Sequence, residues 1–568
     1  MKLKSTLIPV SCSVVLLAAC SKFNLDKVTY KVTPDPLEYK NDSVALNISG
    51  EYPKKAIPKK GRAVLTPVFE FNGQTVEAKP LLVKGVKNKG EGIVLDKTGG
   101  KFTYSDVVQY KPGMEVADLH VSAKGYIKDK TTEKFNAKTT EPIDKGVSIT
   151  PLLVQKETST TVGKHNYGPV NKTHSALIYF AYNSKTVRPS ELKSEDIAAF
   201  RSFVTEHSGN GSTFKKMDVV GWASPEGSDE HNQVLSDGRA SETKGVVQKE
   251  LKKLNKVLAE NSAFVSSVGK GRDIAGFEAK VKEKNGSSQV AQIVKTGVSR
   301  SELQNQLKSI SGASMASVEA DLLSPLRRAE ILTTVQLREK TADELKALGV
   351  SNPDSLTLEE QLYVAQNLIT DENQRLKLYQ AAQRKAPEDW RGYNNAGVSY
   401  ASMGKWNEAE IEFRKAEKIA PNEKTILSNL GKYSYQKGDT EKAIDYFKKA
   451  SGFQDADRAL GSIYILKGKY NESVSLYGDA KTFNAALAKL LAGKPGEVDA
   501  TINGGDDQEK ALSYYLKAIA ASRQKNKSGV VSNLKEAFTR DAALKAKAKT
   551  DVEFQNYFED SDFKSAVN

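Results

Sequence analysis

Ser228, Asp229 and His231 stand within one short stretch and are the residue types of a nucleophilic triad. Crowding on one short segment argues against a catalytic assembly, and no catalytic residue is assigned to them. The five histidines, His120, His165, His174, His207 and His231, are scattered and form no H-x-x-x-H or cysteine-assisted set, so no metal site is expected. Gly269-Lys270-Gly271-Arg272 lacks the spacing of a phosphate loop and its following Ser or Thr, and reads as a turn at a strand end. Glu408, Glu410 and Glu412 fit a solvated helix face. No cofactor is implied and the chain is expected not to be an enzyme.

The elements that must carry these residues fall into three regions. Short alternating runs fill 28–154, such as Val28 to Val32, Ser43 to Ile48 and Ala63 to Phe69, broken by Gly, Pro, Asn and Asp turns. That pattern predicts an antiparallel β-sandwich of immunoglobulin-like type. Residues 155–173 are rich in Thr, Ser, Lys and Gly and read as a linker. A mixed α/β region follows over 174–338. Its strands include Leu177 to Asn183 and Met217 to Ala223, and one helix, with Ser236 as its expected N-cap, runs to about Leu254. Residues 276–324, approximately, form a helical insertion rich in Lys, Ser and Gln. From 356 to 560 the pattern is helical.

Composition sets outer limits. The chain has 568 residues, a net charge of +14, 39% apolar residues and two cysteines. This excludes a polytopic membrane protein, a disulfide scaffold, a collagen-like chain and a fully disordered one. Positive charge makes anionic partners plausible without defining a fold.

Residues 1–20 read as an export signal, with Lys2 and Lys4 ahead of an apolar stretch too short to span a bilayer. Its end, Leu17-Ala18-Ala19-Cys20, resembles the lipobox of bacterial lipoproteins, which implies acylation of Cys20 and attachment to membrane lipid. Ser21 is not acidic, which in that family fits delivery to the outer membrane. With Cys12 discarded, Cys20 would be the one cysteine left.

Gly397, Gly404, Ala409, Phe413 and Ala416 recur 34 residues later as Gly431, Gly438, Ala443, Phe447 and Ala450, and a further step of 30 reaches Gly461 and Tyr477. This resembles the tetratricopeptide repeat, and implies an α-solenoid of helix pairs whose concave face takes peptides or proteins.

In the central region Gly221, Gly227, Ser228, Asn232, Leu235, Ser236, Arg239 and Ala240 match the motif of the OmpA-like, peptidoglycan-associated domain, and Leu326 to Ile331 resembles its closing strand. The resemblance implies that Arg239 grips a carboxylate of the diamino acid in a peptidoglycan stem peptide, with Asn232 in support. The position that holds an aspartate in the family holds Ser224, and Glu226 stands two residues on as a replacement charge. The alternative for Arg239 is a structural salt bridge, for instance with Asp229. Ser228, Asp229 and His231 fall inside this binding motif, which further disfavours a nucleophilic site.

Together these expectations describe a lipid-anchored scaffold of a Gram-negative envelope. It would tether the outer membrane to peptidoglycan from the periplasmic side and recruit an envelope protein through its repeats. The alternative is an adaptor in a secretion or assembly complex whose OmpA-like domain no longer binds the wall. Export removes nucleic acid as a partner.

Overall fold

The computed structural model describes residues 23–127, 135–261, 263–283, 299, 301–302, 305 and 315–568. The expected signal and lipobox, with Cys20, and most of the insertion lie outside them. The chain divides into two compact units, one formed by 1–163 with 386–568 and the other by 164–385.

Among the described residues the first unit begins with twelve strands. One sheet holds β1 (Thr29–Thr33), β2 (Leu37–Lys40), β3 (Ser43–Tyr52), β8 (Gly100–Gln109) and β12 (Val147–Ser148). The other holds β4 (Gly61–Phe71), β5 (Gln74–Glu77), β6 (Leu81–Gly85), β7 (Ile93–Leu95), β9 (Asp118–Ile127), β10 (Phe135–Thr139) and β11 (Asp144–Lys145). Strict alternation explains the layering. Along β4 the residues Ala63, Leu65, Phe69 and Phe71 are buried, and they share one core with Val44, Leu46 and Ile48 of β3. The arrangement is β-rich but not wholly antiparallel, since β12 pairs parallel to β2 and β7 parallel to β6.

The same unit continues in helix pairs. Trp390–Ser402 packs on Trp406–Ile419, Lys424–Gln436 on Thr440–Lys449, and Gln454–Leu466 on Tyr470–Tyr477. Phe483–Leu491 with Val498–Ile502 and Ala511–Arg523 with Lys527–Arg540 extend the array. The repeated glycines have a steric role here. A Cβ on Gly397 would lie 2.6 Å from the Phe413 ring, and one on Gly431 would lie 2.5 Å from Phe447. Each aromatic ring therefore fills the space that its glycine leaves. The expected solenoid started at 356, whereas the helices Leu358–Tyr363 and Glu372–Lys385 group with the central unit.

That unit holds a four-stranded sheet in the order β13 (Asn171–Tyr179), β16 (Arg328–Gln336), β14 (Thr213–Ala223) and β15 (Val265–Arg272). The stretch read as linker thus ends in a strand, because Asn171 onward pairs with β16. The helices Glu195–His207 and Asp229–Leu254 bury Ile197, Phe200, Ala240 and Val247 against Ile178, Val219 and Ile331 of the sheet. The second helix starts eight residues before the expected N-cap Ser236 would allow. Ser228 caps it by accepting from the His231 amide, with Asp229 and Glu230 in the first turn. Ser236 instead sits inside the helix, where its hydroxyl accepts from Gly271 N at 2.8 Å.

Candidate functional site

The loop from Ser224 to Ser228 joins β14 to this long helix, and the helix approaches β14 so closely that a Cβ on Gly221 would strike the Ser236 carbonyl. The four residues expected to meet a ligand, Ser224, Glu226, Asn232 and Arg239, are all buried here. Arg239 is 1% exposed. Its Nε donates to Ser184 O at 2.9 Å, Nη1 to Trp222 O at 2.8 Å and Nη2 to Ala181 O at 3.4 Å. The guanidinium also lies over the Phe180 ring, 5.4 Å from its centroid. Burial, with the Arg327 charge nearby, pulls its pKa down to about 10, while Glu226 works the other way.

Arg239 is therefore turned inward, with each guanidinium nitrogen given to a backbone carbonyl. Its expected role of offering a fork to a carboxylate is not the role this geometry gives it. Nor does it pair with Asp229, whose partner is Arg272 at 2.6 Å. Asn232 is equally engaged, donating to Glu226 O and Ser228 O.

Ser224 and Glu226 converge on Arg327, a residue the sequence reading placed only in a closing strand. Arg327 Nε donates to Ser224 Oγ at 3.1 Å and Nη2 to Glu226 Oε1 at 2.9 Å, and the guanidinium also pairs with Glu319. The serine and glutamate thus hold a cation of the chain itself. Arg327 is 2% exposed, so the cluster is an internal tie between the loop and the residue that leads into β16. His231 Nε2 meets Asn183 Oδ1 at 2.8 Å, away from any nucleophile–base pair with Ser228, whose Oγ caps the helix. Among the described residues no group of three or more His, Cys, Asp or Glu could hold a metal ion, and no helix is long and apolar enough to cross a membrane.

A second site lies in the helical array and was missed in the sequence. From the end of the short helix Thr150–Leu153 the segment to 163 runs along the array outside any helix or strand, and buried asparagines hold its main chain. Asn395 accepts from Gly163 N at 2.6 Å and donates to Gly163 O at 2.9 Å. Asn429 does the same to Thr161, at 2.8 and 2.7 Å, and Asn484 to Gln155, at 2.9 and 2.7 Å. Each pair copies the reciprocal bonding of neighbouring β-strands, and a net value of about 1 kcal/mol per bond makes the set worth several kcal/mol. Asn394 adds a bond to Thr161 O and links to Asn395 and Asn429.

Side chains contribute at two points. The Glu157 carboxylate accepts from Tyr477 Oη and from Asn484 Nδ2, both at 3.2 Å. Thr161 Oγ1 donates to Asp455 and accepts from Lys432 Nζ at 3.3 Å. Lys432 is 2% exposed, and burial lowers its pKa against the opposing pull of Asp455 and Glu157. Beside the segment a cleft of about 380 Å³ is lined by Lys432, Asp455, Arg458, Thr482 and Asp507. The signal that would have found this site was present: Asn395 and Asn429 are 34 residues apart, two positions before the repeated glycines. The next step of 30 falls on Ala459, and there the ladder has a gap.

The tetratricopeptide-repeat family model matches residues 391–423 and 425–456. Over 120 residues the chain is 27% identical to the BBSome complex member BBS4 of Bos taurus, covering 20% of this chain and 23% of that protein. For BBS4 of Mus musculus the figures are 29% over 93 residues, 16% and 18%. The chain spans less than a quarter of the length of these curated relatives. Among solved structures, Pseudomonas aeruginosa pilF is similar at 16% identity and a TM-score of 0.28, over 38% of this chain and 98% of that one. A tetratricopeptide repeat protein from Parabacteroides merdae is similar at 15% identity and a TM-score of 0.24, over 52% and 100%. Residues 391–456 thus hold two tetratricopeptide repeats within a longer helical array.

Proposed function

We infer that the chain is a non-catalytic scaffold that holds partner proteins through its tetratricopeptide repeats, anchored to the outer membrane by lipid on Cys20. The observation that carries this reading is the polar groove of the repeats, where buried amides grip an extended main chain. Such a surface recognises polypeptide and offers no reacting group.

The adaptor form of the scaffold is preferred to the wall tether. The central region keeps the OmpA-like motif residues on one strand, loop and helix, which is what favours the tether. Against it, Arg239 spends its donors on carbonyls, and Ser224 with Glu226 is filled by Arg327. On the adaptor reading the central unit is a spacer within an envelope assembly.

Co-sedimentation with purified sacculi separates the two. The adaptor stays in the supernatant, while pelleting that free stem peptide competes away would restore the tether. Acyl labelling tests the anchor: label should appear in the wild type and vanish with Cys20→Ser, together with the membrane fraction of the protein. Unlabelled wild type would remove the lipid from the account.

A further inference from the structure

Asn395 holds the main chain of Gly163, Asn429 that of Thr161 and Asn484 that of Gln155, Asn484 alone adding a side-chain bond to the Glu157 carboxylate. Any extended, non-proline residue can present the same N–H and C=O. The ladder is therefore a reader of extended backbone, with selectivity left to Glu157 and Thr161. The resident segment also fits its groove incompletely. Where Ala459 interrupts the ladder, the segment leaves the cleft of about 380 Å³ beside it, and the buried Arg458 Nε there has no hydrogen-bond partner. An occupant with more polar bulk at the level of Ser159 and Thr160 would gain contacts that the resident lacks.

Resting on the scaffold reading above, we propose that this groove is an exchangeable polypeptide site whose resident occupant is the chain's own segment 153–163. The partner is a protein with an extended segment that places a carboxylate where Glu157 lies and a hydroxyl where Thr161 lies. Lys432 and Tyr477 receive those two groups, as they now receive the resident's hydroxyl and carboxylate respectively. Because the resident is tethered, it competes at an effective concentration in the millimolar range, so an outside segment binds weakly until the resident is released. Occupancy in cis thus sets the threshold for recruitment.

The test uses the full chain and a fluorescein-labelled synthetic peptide copying residues 152–165. Thr161→Pro with Gly163→Pro removes the two N–H groups that Asn429 and Asn395 accept, and releases the resident. Fluorescence anisotropy should show the probe binding this variant at least tenfold more tightly than the wild type. Adding Asn395→Ala and Asn429→Ala should abolish that gain, and replacing the probe's own glutamate with alanine should weaken it severalfold. No binding to a released variant whose 155–163 amides exchange freely overturns the proposal. So does equal binding without the asparagines. Dimerisation of the released variant, reversed by the probe, would assign the site to a second copy and overturn the partner.

If the proline variant does not fold, hydrogen exchange on Asn395→Ala with Asn429→Ala in the otherwise intact chain decides. Amides of 155–163 should exchange at least tenfold faster than in the wild type, and unchanged protection overturns the ladder. The scaffold reading fails separately, if crosslinking in envelopes captures no protein on any face of the repeats.

Discussion

Arg239 shows how one residue type can serve two ends. A guanidinium on a binding motif can face a ligand or lock a loop, and here it locks Ser184, Trp222 and Ala181 to the long helix. Arg239→Ala should therefore cost folding stability, about 2–4 kcal/mol by urea denaturation, because three carbonyls lose a charged donor in a dry site. An unchanged midpoint would return the residue to a ligand role. Asp144 gives a prediction with a pH sign. Burial raises its carboxyl from 3.8 to about 6, and Oδ2 has no partner. Below about pH 3 the group is neutral in both states, so nothing is lost. Between 3.8 and about 6 the unfolded chain gives up the proton before the native state does, so stability falls across that window and stays at its lower level above it. That rise corresponds to about 3 kcal/mol, and partial exposure reduces this to on the order of 1 kcal/mol. Asp144→Asn should stabilise by that amount at pH 7 and hardly at all at about pH 3. Which way Arg239 faces was not legible, since the motif is the same string in either case. The burial of Ser224 and Glu226 was hidden too, because their partner Arg327 lies 101 residues or more away.

At the scale of elements, the repeats were legible because glycine and aromatic positions recur at fixed spacing, and packing demands that recurrence. Gly431→Val should force its side chain into Phe447, 2.5 Å from where the Cβ would sit, and cost about 1–3 kcal/mol. Hydrogen exchange should then rise first in Lys424–Gln436 and Thr440–Lys449, and uniform exchange would show that the pair is not the affected unit. Asn395 and Asn429 obey the same 34-residue period, yet an apolar pattern search passes over buried amides. Segment 155–163 had the composition of a linker for the same reason. A strand bound by side-chain amides needs no apolar alternation, so nothing in its own residues announces that it is held.

The molecule as a whole ties its first strands to its last helices. Glu553 accepts from Ser148 Oγ and Thr150 Oγ1, each at 2.7 Å, and pairs with Arg523 at 2.6 Å. Burial opposes its charge, but the Arg523 guanidinium outweighs this and holds the carboxyl below its ordinary value. Glu553→Ala leaves Arg523 and two hydroxyls without their acceptor. It should cost about 3–5 kcal/mol and split the unfolding of the β region from that of the helices in calorimetry. A single sharp transition would mean that other contacts couple them.

Ser148 and Glu553 are 405 residues apart in the chain. At about 5–20 residues per second, a ribosome takes on the order of 20–80 seconds to pass from one to the other. Throughout that interval the two hydroxyls have been made while Glu553 has not, and the groove-bound segment waits 232 residues for Asn395, 268 for Asn429 and 329 for Asn484. A chaperone or an early partner meeting the nascent chain would find that segment bare.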